Sequence, residues 1–226
     1  MNRRDETRQA TIAAIKRLAL ERLSEAGAGK ISLNQIARSL GMTGPGLFRY
    51  VQSRNDLLTE LVVDAYTDLG DALWETVTET VNQPVADRLR SHAAVYRTWA
   101  LANPHRYALL FGSPVPGYVA PADLTQPAAI RALASTFAIS AGRSSAEEDP
   151  TDDPLAAALR AWATDHDLPP LTFGWLRQGI LGWTRLHGIL SLELEGQFRS
   201  GLPDPAVIYC SEVEELIRQV VPESQT

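Results

Sequence analysis

The sequence predicts an all-α protein whose N-terminal part is basic and whose remainder is acidic. Apolar residues recur at three- and four-residue steps along most of the 226-residue chain, and no segment alternates as a β-strand would. Residues 1–63 carry a net charge of +4 and the remainder carries −10, within a total of −6. We therefore expect two helical domains, residues 1–52 and 53–226, which a helix over 53–80 connects.

The composition bears on the class of protein and on its compartment. No apolar run is long enough to cross a bilayer, and the first eight residues lack the apolar core of a secretory signal. The single cysteine, Cys210, cannot form an internal disulfide, as is typical of a reducing compartment. These features favour a cytoplasmic protein that makes no membrane contact.

The N-terminal part contains signals for three helices. A helical apolar stripe runs from Arg3 to Ala26, and Gly27 and Gly29 are expected to end that helix. Ser32 and Gln35 have the spacing of a capping box, which would open a short second helix. Gly41 would then stop it.

The stretch GMTGPGLFRYV, residues 41–51, places three glycines and a proline where a third helix should start. Thr43 is a suitable N-cap, and Pro45 falls in the first turn, where its missing N–H is tolerated. Gly44 and Gly46 have no side chains that would hold the backbone away from a partner. The two short helices and their turn form a helix-turn-helix pattern. We therefore expect the start of the third helix, which has few side chains, to enter the major groove of DNA.

Residues 31–58, ISLNQIARSLGMTGPGLFRYVQSRNDLL, resemble the DNA-binding signature of the tetracycline-repressor (TetR) family of bacterial regulators. The resemblance implies that Arg49 reads a base edge, since a guanidinium can bond bidentately to guanine. It also implies phosphate contacts by Tyr50 and Arg54. The family often has a tyrosine in place of Phe48, so one phosphate contact is missing or made elsewhere. The full set of expected DNA-binding residues is Ser32, Thr43, Gly44, Pro45, Gly46, Arg49, Tyr50 and Arg54.

The acidic remainder is predicted to be helical with two interruptions. Loops are expected over 112–127, which holds four prolines, and over 142–154, which is rich in acidic residues. The expected helices cover 53–80, 84–101, 105–111, 128–141, 155–163, 171–195 and 205–220. The last two are candidates for the interface of a homodimer.

Several aromatic residues of this remainder could enclose a small apolar ligand. The stretch GWTRLHGILSLELEGQF, residues 182–198, is similar to a TetR subgroup whose ligand domain carries a Trp…His-Gly signature. Core packing is the alternative explanation for most of these side chains. The expected ligand-binding set is Tyr96, Trp99, Tyr107, Phe111, Phe137, Trp183 and His187.

These patterns together predict a homodimeric repressor that a small, largely apolar effector releases from a palindromic DNA operator. Activation in place of repression stays open, and so does a carrier protein whose helix-turn-helix does not bind DNA. The four histidines have no metal-ligand spacing and no nucleophile or nucleotide-binding motif occurs, so we expect no metal, no cofactor and no enzymatic activity.

Overall fold

The structure is a computed structural model that describes residues 3–26, 31–112, 115, 117–139, 152–168 and 171–220. These ranges contain ten α-helices, one 3₁₀ helix and no β-strand, which confirms the predicted all-α class. None of the described helices is both long and apolar enough to cross a membrane. The helices are α1 Arg3–Ala26, α2 Leu33–Ser39, α3 Gly44–Leu47, α4 Arg54–Glu79, α5 Val85–Ala102, α6 Pro104–Phe111, α7 Ala122–Ala138, α8 Pro154–Asp165, α9 Phe173–Leu194 and α10 Pro205–Val220, with the 3₁₀ helix at Gln197–Ser200.

One predicted loop is wrong in its second half. Residues 122–127 belong to α7, which contains Pro127 in its second turn. Pro121 directly precedes the helix, and its carbonyl accepts the amides of Leu124 and Thr125 and the Thr125 hydroxyl. Because this start lies upstream, Pro127 removes one hydrogen bond from an established helix and does not begin a new one.

The predicted helix starts have mixed outcomes. The Ser53 hydroxyl accepts the amide of Asp56 at 3.1 Å and caps the start of the helix that is expected from residue 53. Ser32 occupies the N-cap of α2, but its side chain makes no capping bond, so the predicted capping box is wrong. The backbone oxygen of Ser32 accepts the amides of Gln35 and Ile36 instead, which is sufficient to begin the helix.

Some predicted features lie outside the described residues. These are the helix end at Gly27 and Gly29, most of the expected loop over 142–154, and the two prolines at 169 and 170. The described end of that loop has a structural role, because Asp153 is the N-cap of α8 and accepts the amides of Leu155 and Ala156.

The contacts between residues divide the chain into two compact units. The first unit comprises Met1–Tyr66 and Asn103–Pro127, and the second comprises Thr67–Ala102 and Ala128–Thr226. The first unit therefore extends beyond residue 52. As independently folding domains, the ranges 1–52 and 53–226 stay a prediction.

The first unit is built on an apolar core that α1, α2, α3 and α4 share. Burying one such aliphatic side chain stabilises a fold by about 1.5–3 kcal/mol. Leu47 and Val51 are buried in it, and they hold the short α3 in place. The other buried members are Ile15, Ala19, Leu23, Ile31, Ile36, Ala37, Leu57, Leu58, Leu61 and Val115.

Polar contacts link the helices of the second unit. Arg90 on α5 forms a two-pronged ion pair with Glu214 on α10, with both N–O distances at 2.7 Å. The buried Tyr209 hydroxyl donates to the carbonyl of Ala93 at 2.8 Å. Helices α9 and α10 also meet closely at Gly182, where a Cβ would lie 3.4 Å from a methyl group of Leu216.

His92 is a buried histidine within the second unit. Its Nε2 lies 3.0 Å from the hydroxyl of Ser135, which donates its own proton to the carbonyl of Ala132. His92 Nε2 is therefore the donor in this pair. Burial lowers the pKa of His92 from 6.5 to about 4.

We predict that the folded protein loses stability as the pH falls from about 6.5 to about 4. In that window the unfolded chain protonates His92 while the folded chain keeps it neutral, so protons favour unfolding by up to about 3 kcal/mol. Chemical denaturation at a fixed protein concentration from pH 7 to pH 4.5 measures the loss. His92→Gln should flatten this dependence, and replacement of the exposed His105 by Gln should not. Equal slopes in the wild type and His92→Gln would contradict the assignment.

Candidate nucleic-acid interface and ligand site

The turn before α3 is closed by Gly41. This residue has a φ of +66°, a conformation that favours glycine. The amide of Met42 donates to the carbonyl of Ala37 at 2.8 Å, and the amide of Gly41 donates to that of Arg38 at 3.1 Å. These two bonds end α2 and bring Thr43 directly to the start of the next helix.

The N-cap predicted at Thr43 is confirmed. Its Oγ1 accepts the amide of Gly46 at 3.2 Å, and Pro45 lies in the first turn. A Cβ on Gly46 would lie only 3.1 Å from that oxygen, and one on Gly44 would lie 3.3 Å from Asn34 Oδ1. Both glycines are therefore favoured by the limited space around them. They also leave the surface of the helix start without side chains.

The segment from residue 43 to residue 50 has one buried side and one exposed side. Leu47 is 1% exposed, whereas the side chains of Thr43, Pro45 and Arg49 are exposed. Phe48 is 49% exposed and has no hydroxyl to donate to a phosphate. The half-buried residues among those predicted to bind DNA are Ser32, Gly44, Gly46, Tyr50 and Arg54, of which Ser32 and Arg54 lie at the starts of α2 and α4.

An open groove next to this segment was missed by the sequence analysis. It is lined by Arg3, Arg4, Thr7 and Arg8 of α1, and by Arg49 and Tyr50. Arg8 Nη1 donates to the carbonyl of Arg49 at 3.2 Å, and the Arg8 guanidinium lies 5.5 Å from the centre of the Tyr50 ring. The sequence shows a basic head, but a contact between residues 41 positions apart is a tertiary feature.

Three of the predicted ligand-binding residues come together in the second unit. The Tyr96 hydroxyl lies 3.1 Å from His187 Nδ1, and the Trp183 ring stacks on the His187 ring with 5.2 Å between centres. Ser191 Oγ lies 3.4 Å from the other ring nitrogen. Burial lowers the pKa of His187, which favours the neutral ring. A neutral ring has one donor and one acceptor nitrogen, so Tyr96 and Ser191 take opposite roles.

The other four predicted ligand residues have different surroundings. Phe137 is 1% exposed and fills the space beside Gly179, where a Cβ would lie 2.5 Å from its ring. Trp99 donates from Nε1 to Asp68 at 2.8 Å. Tyr107 and Phe111 belong to the first unit, where their ring centres are 5.0 Å apart. Core packing accounts for Phe137, the alternative already noted from the sequence.

Two buried polar atoms on α9 have no hydrogen-bond partner among the described residues. They are Nε1 of Trp175 and Oε1 of Gln178, which lie three residues apart and so share one side of the helix. An unsatisfied buried polar group costs about 1–3 kcal/mol, so such groups often mark a binding site. Among the residues that the structure describes, no group of three His, Cys, Asp or Glu side chains could hold a metal ion.

Comparisons with known proteins extend over nearly the whole chain. Residues 89–166 match the family described as tetracyclin repressor-like, C-terminal domain. The chain is 37% identical over 225 residues to the HTH-type transcriptional regulator Rv1816 of Mycobacterium tuberculosis, which covers 96% of this chain and 95% of the relative. The HTH-type transcriptional regulator Mb1846 of Mycobacterium bovis matches with the same identity and coverage.

A solved structure agrees with these sequence relatives. The crystal structure of the protein SCO4313 superposes with a TM-score of 0.78 at 36% identity, over 96% of this chain and 99% of that chain. The identity to Rv1816 and to SCO4313 exceeds one third over almost the full length of each chain. The helix-turn-helix segment described above therefore occurs in a chain that is similar to known regulators throughout. The chain belongs to the TetR family of HTH-type, DNA-binding transcriptional regulators.

Proposed function

We propose that this protein is a homodimeric repressor that binds a palindromic operator and is released from it by a small, largely apolar effector. TetR-family regulators bind DNA and act as dimers. The observation that carries the proposal is the segment over 43–50, which is fixed by the Thr43 cap and by buried Leu47 and exposes Arg49. Selection of binding sites from random DNA tests it, because a true operator should emerge as a palindrome.

The exposed side of this segment determines the proposed roles in DNA binding. Arg49 reads a base edge, while Thr43 and Pro45 lie close enough to the bases or to the backbone for contact. Gly44 and Gly46 allow the helix start to approach, and Tyr50, Arg54 and Ser32 hold phosphates. In a dimer the two segments would occupy successive major grooves, about 34–36 Å apart.

We assign the homodimer interface to α9 and α10, about residues 171–195 and 205–220. The support is a set of exposed apolar side chains on and between these helices, at Leu192, Leu202 and Val207. A second copy packed against α9 and α10 would bury these side chains, which favours association. Val207 is 64% exposed at the start of α10.

We further propose that the cluster of Tyr96, Trp183 and His187 anchors the effector. Its support is the combination of a stacked aromatic surface with polar atoms of a neutral histidine. Trp175 and Gln178 could supply one further donor and one further acceptor, which their present lack of partners favours. The same cluster supports membership in the subgroup with the Trp…His-Gly signature, here Trp183, His187 and Gly188. Trp99, Tyr107 and Phe111 stay candidates, and Phe137 is better explained by packing.

We predict that Arg49→Ala weakens binding to the selected operator by about 5- to 150-fold, because a bidentate base contact contributes about 1–3 kcal/mol. Arg49→Lys keeps the charge but not the fork, so it should relax base preference at one position more than it lowers affinity. Fluorescence anisotropy with labelled duplexes measures both effects. Arg17→Ala on α1 is the control, since Arg17 pairs with Glu21 and does not line the groove. Full affinity of Arg49→Ala would refute the assigned reading role.

We predict that Val207→Glu converts the dimer into a monomer. A carboxylate placed in an apolar interface would be buried without a partner, which disfavours association by several kcal/mol. Light scattering coupled to size-exclusion chromatography gives the mass directly. Val119→Glu is the matched control, because Val119 is 89% exposed and lies in the first unit. A Val207→Glu variant that stays dimeric would exclude this position from the interface.

We predict that Tyr96→Phe weakens binding of the effector about fivefold, since a lost hydrogen bond corresponds to about 1 kcal/mol. Apolar compounds that raise the melting temperature of the wild type serve as probes, and titration calorimetry gives their affinities. Tyr118→Phe is the control, because it removes a hydroxyl that contacts Thr59 in the first unit. If both variants bind the probes as the wild type does, the Tyr96 hydroxyl is no anchor.

A further inference from the structure

We propose that the groove between α1 and residues 49–50 binds the phosphate backbone of the operator, beside the segment that reads bases. Its lining residues are Arg3, Arg4, Thr7, Arg8, Arg49 and Tyr50. The inference rests on the proposed operator binding, and it adds a contact region on α1 with a different task. The segment over 43–50, called the reading segment below, recognises the base sequence. The groove holds the duplex by its positive charge.

Within the part of the chain that the structure describes, no ion pair neutralises the arginines of this groove. Arg3, Arg4 and Arg49 have no carboxylate partner among the described residues, and Arg8 donates to a backbone carbonyl. Elsewhere on the same helix, Lys16 pairs with Glu60 and Asp64, and Arg17 pairs with Glu21. The cations of α1 are therefore paired away from the groove and unpaired inside it.

Contacts inside the groove fix part of its lining and leave the rest available. Arg8 is held by the Arg49 carbonyl at 3.2 Å and by the face of the Tyr50 ring. The hydroxyl of Thr7 donates to the carbonyl of Arg3, so its proton is already used. Arg3 and Arg4 are exposed, and each guanidinium offers five N–H donors. Bidentate donors of this kind match the oxygens of a phosphate.

The position of the groove identifies its occupant. Arg49 belongs both to the groove and to the exposed side of the reading segment, so a duplex that meets that segment brings its backbone to the groove. Most lining side chains are exposed, so the groove is open, and an extended polyanion fits it better than an enclosed small ligand. Duplex DNA carries one phosphate charge per about 1.7 Å of its axis, which supplies several phosphates over the groove.

The experiment measures the salt dependence of operator binding in the full-length protein. Each phosphate that a cation neutralises contributes about 0.9 to the slope of log K against log salt concentration. We expect Arg3→Gln and Arg4→Gln each to reduce the slope by about 0.9 and to leave the affinity ratio of operator to scrambled duplex unchanged. Arg17→Gln, which removes the same charge from the same helix outside the groove, should leave the slope unchanged.

A second arm tests the phosphate itself. Duplexes that carry one uncharged methylphosphonate at successive positions locate the phosphates on which wild-type binding depends. We expect Arg4→Gln to become insensitive to at least one substitution that weakens the wild type, whereas Arg17→Gln keeps the wild-type pattern. Inorganic phosphate at constant ionic strength should compete only weakly, because a single anion lacks the spaced charges of the backbone.

The outcomes separate this inference from the proposed function. Failure to select any operator would overturn the repressor proposal itself. Operator binding with wild-type slopes and wild-type methylphosphonate patterns in Arg3→Gln and Arg4→Gln would overturn the groove alone. A fall in the operator-to-scrambled ratio would show that these arginines read bases, and strong competition by inorganic phosphate would indicate a free anion as the occupant. Either result would also overturn the assignment to backbone phosphates.

Discussion

The burial of Leu47 and Val51 is the constraint on which the rest of the first unit depends. Helix α3 has only four residues, and a single turn is unstable in isolation because nucleation is unfavourable. The two buried side chains and the Thr43 cap supply what the helix lacks. Because Leu47 faces the core, the next positions, Phe48 and Arg49, must face solvent. The exposed side of the segment is thus a consequence of core packing, and the side chains of Phe48 and Arg49 could be exchanged without affecting that core.

The same packing determines where positive charge collects. A net charge of +4 over residues 1–63 could have been spread evenly, but ion pairs with α4 carboxylates absorb the charge of Lys16. Among the described residues, the arginines at the start of α1 and Arg49 form no ion pair. Arg8 gives up part of its hydrogen-bonding capacity to the carbonyl of Arg49, which fixes α1 against the reading segment. The Arg8 side chain therefore both holds α1 in place and contributes positive charge to the groove.

The local features of the fold were predictable and the tertiary ones were not. The N-caps at Thr43 and Ser53, and the turn at Gly41, follow from short-range hydrogen bonds that the sequence encodes directly. Pro127 misled the prediction because proline marks helix starts and stops more often than it occupies a second turn. The capping box at Ser32 failed because a backbone oxygen can begin a helix without help from a side chain. The arginine groove depends on two segments that only packing brings together.

His92 and His187 share a residue type but differ in burial, and the sequence alone does not show that difference. His92 is fully enclosed, donates to Ser135 and keeps a pKa near 4, so it contributes to the fold in its neutral state. His187 is half-buried, lies between two hydroxyl groups and stacks on Trp183. A histidine with spare surface and adjustable hydrogen bonds can exchange a partner for a ligand atom, whereas one sealed in a core can do so only if the core opens. The degree of burial, which periodicity indicates only roughly, therefore decides which of these two histidines can exchange a hydrogen-bond partner.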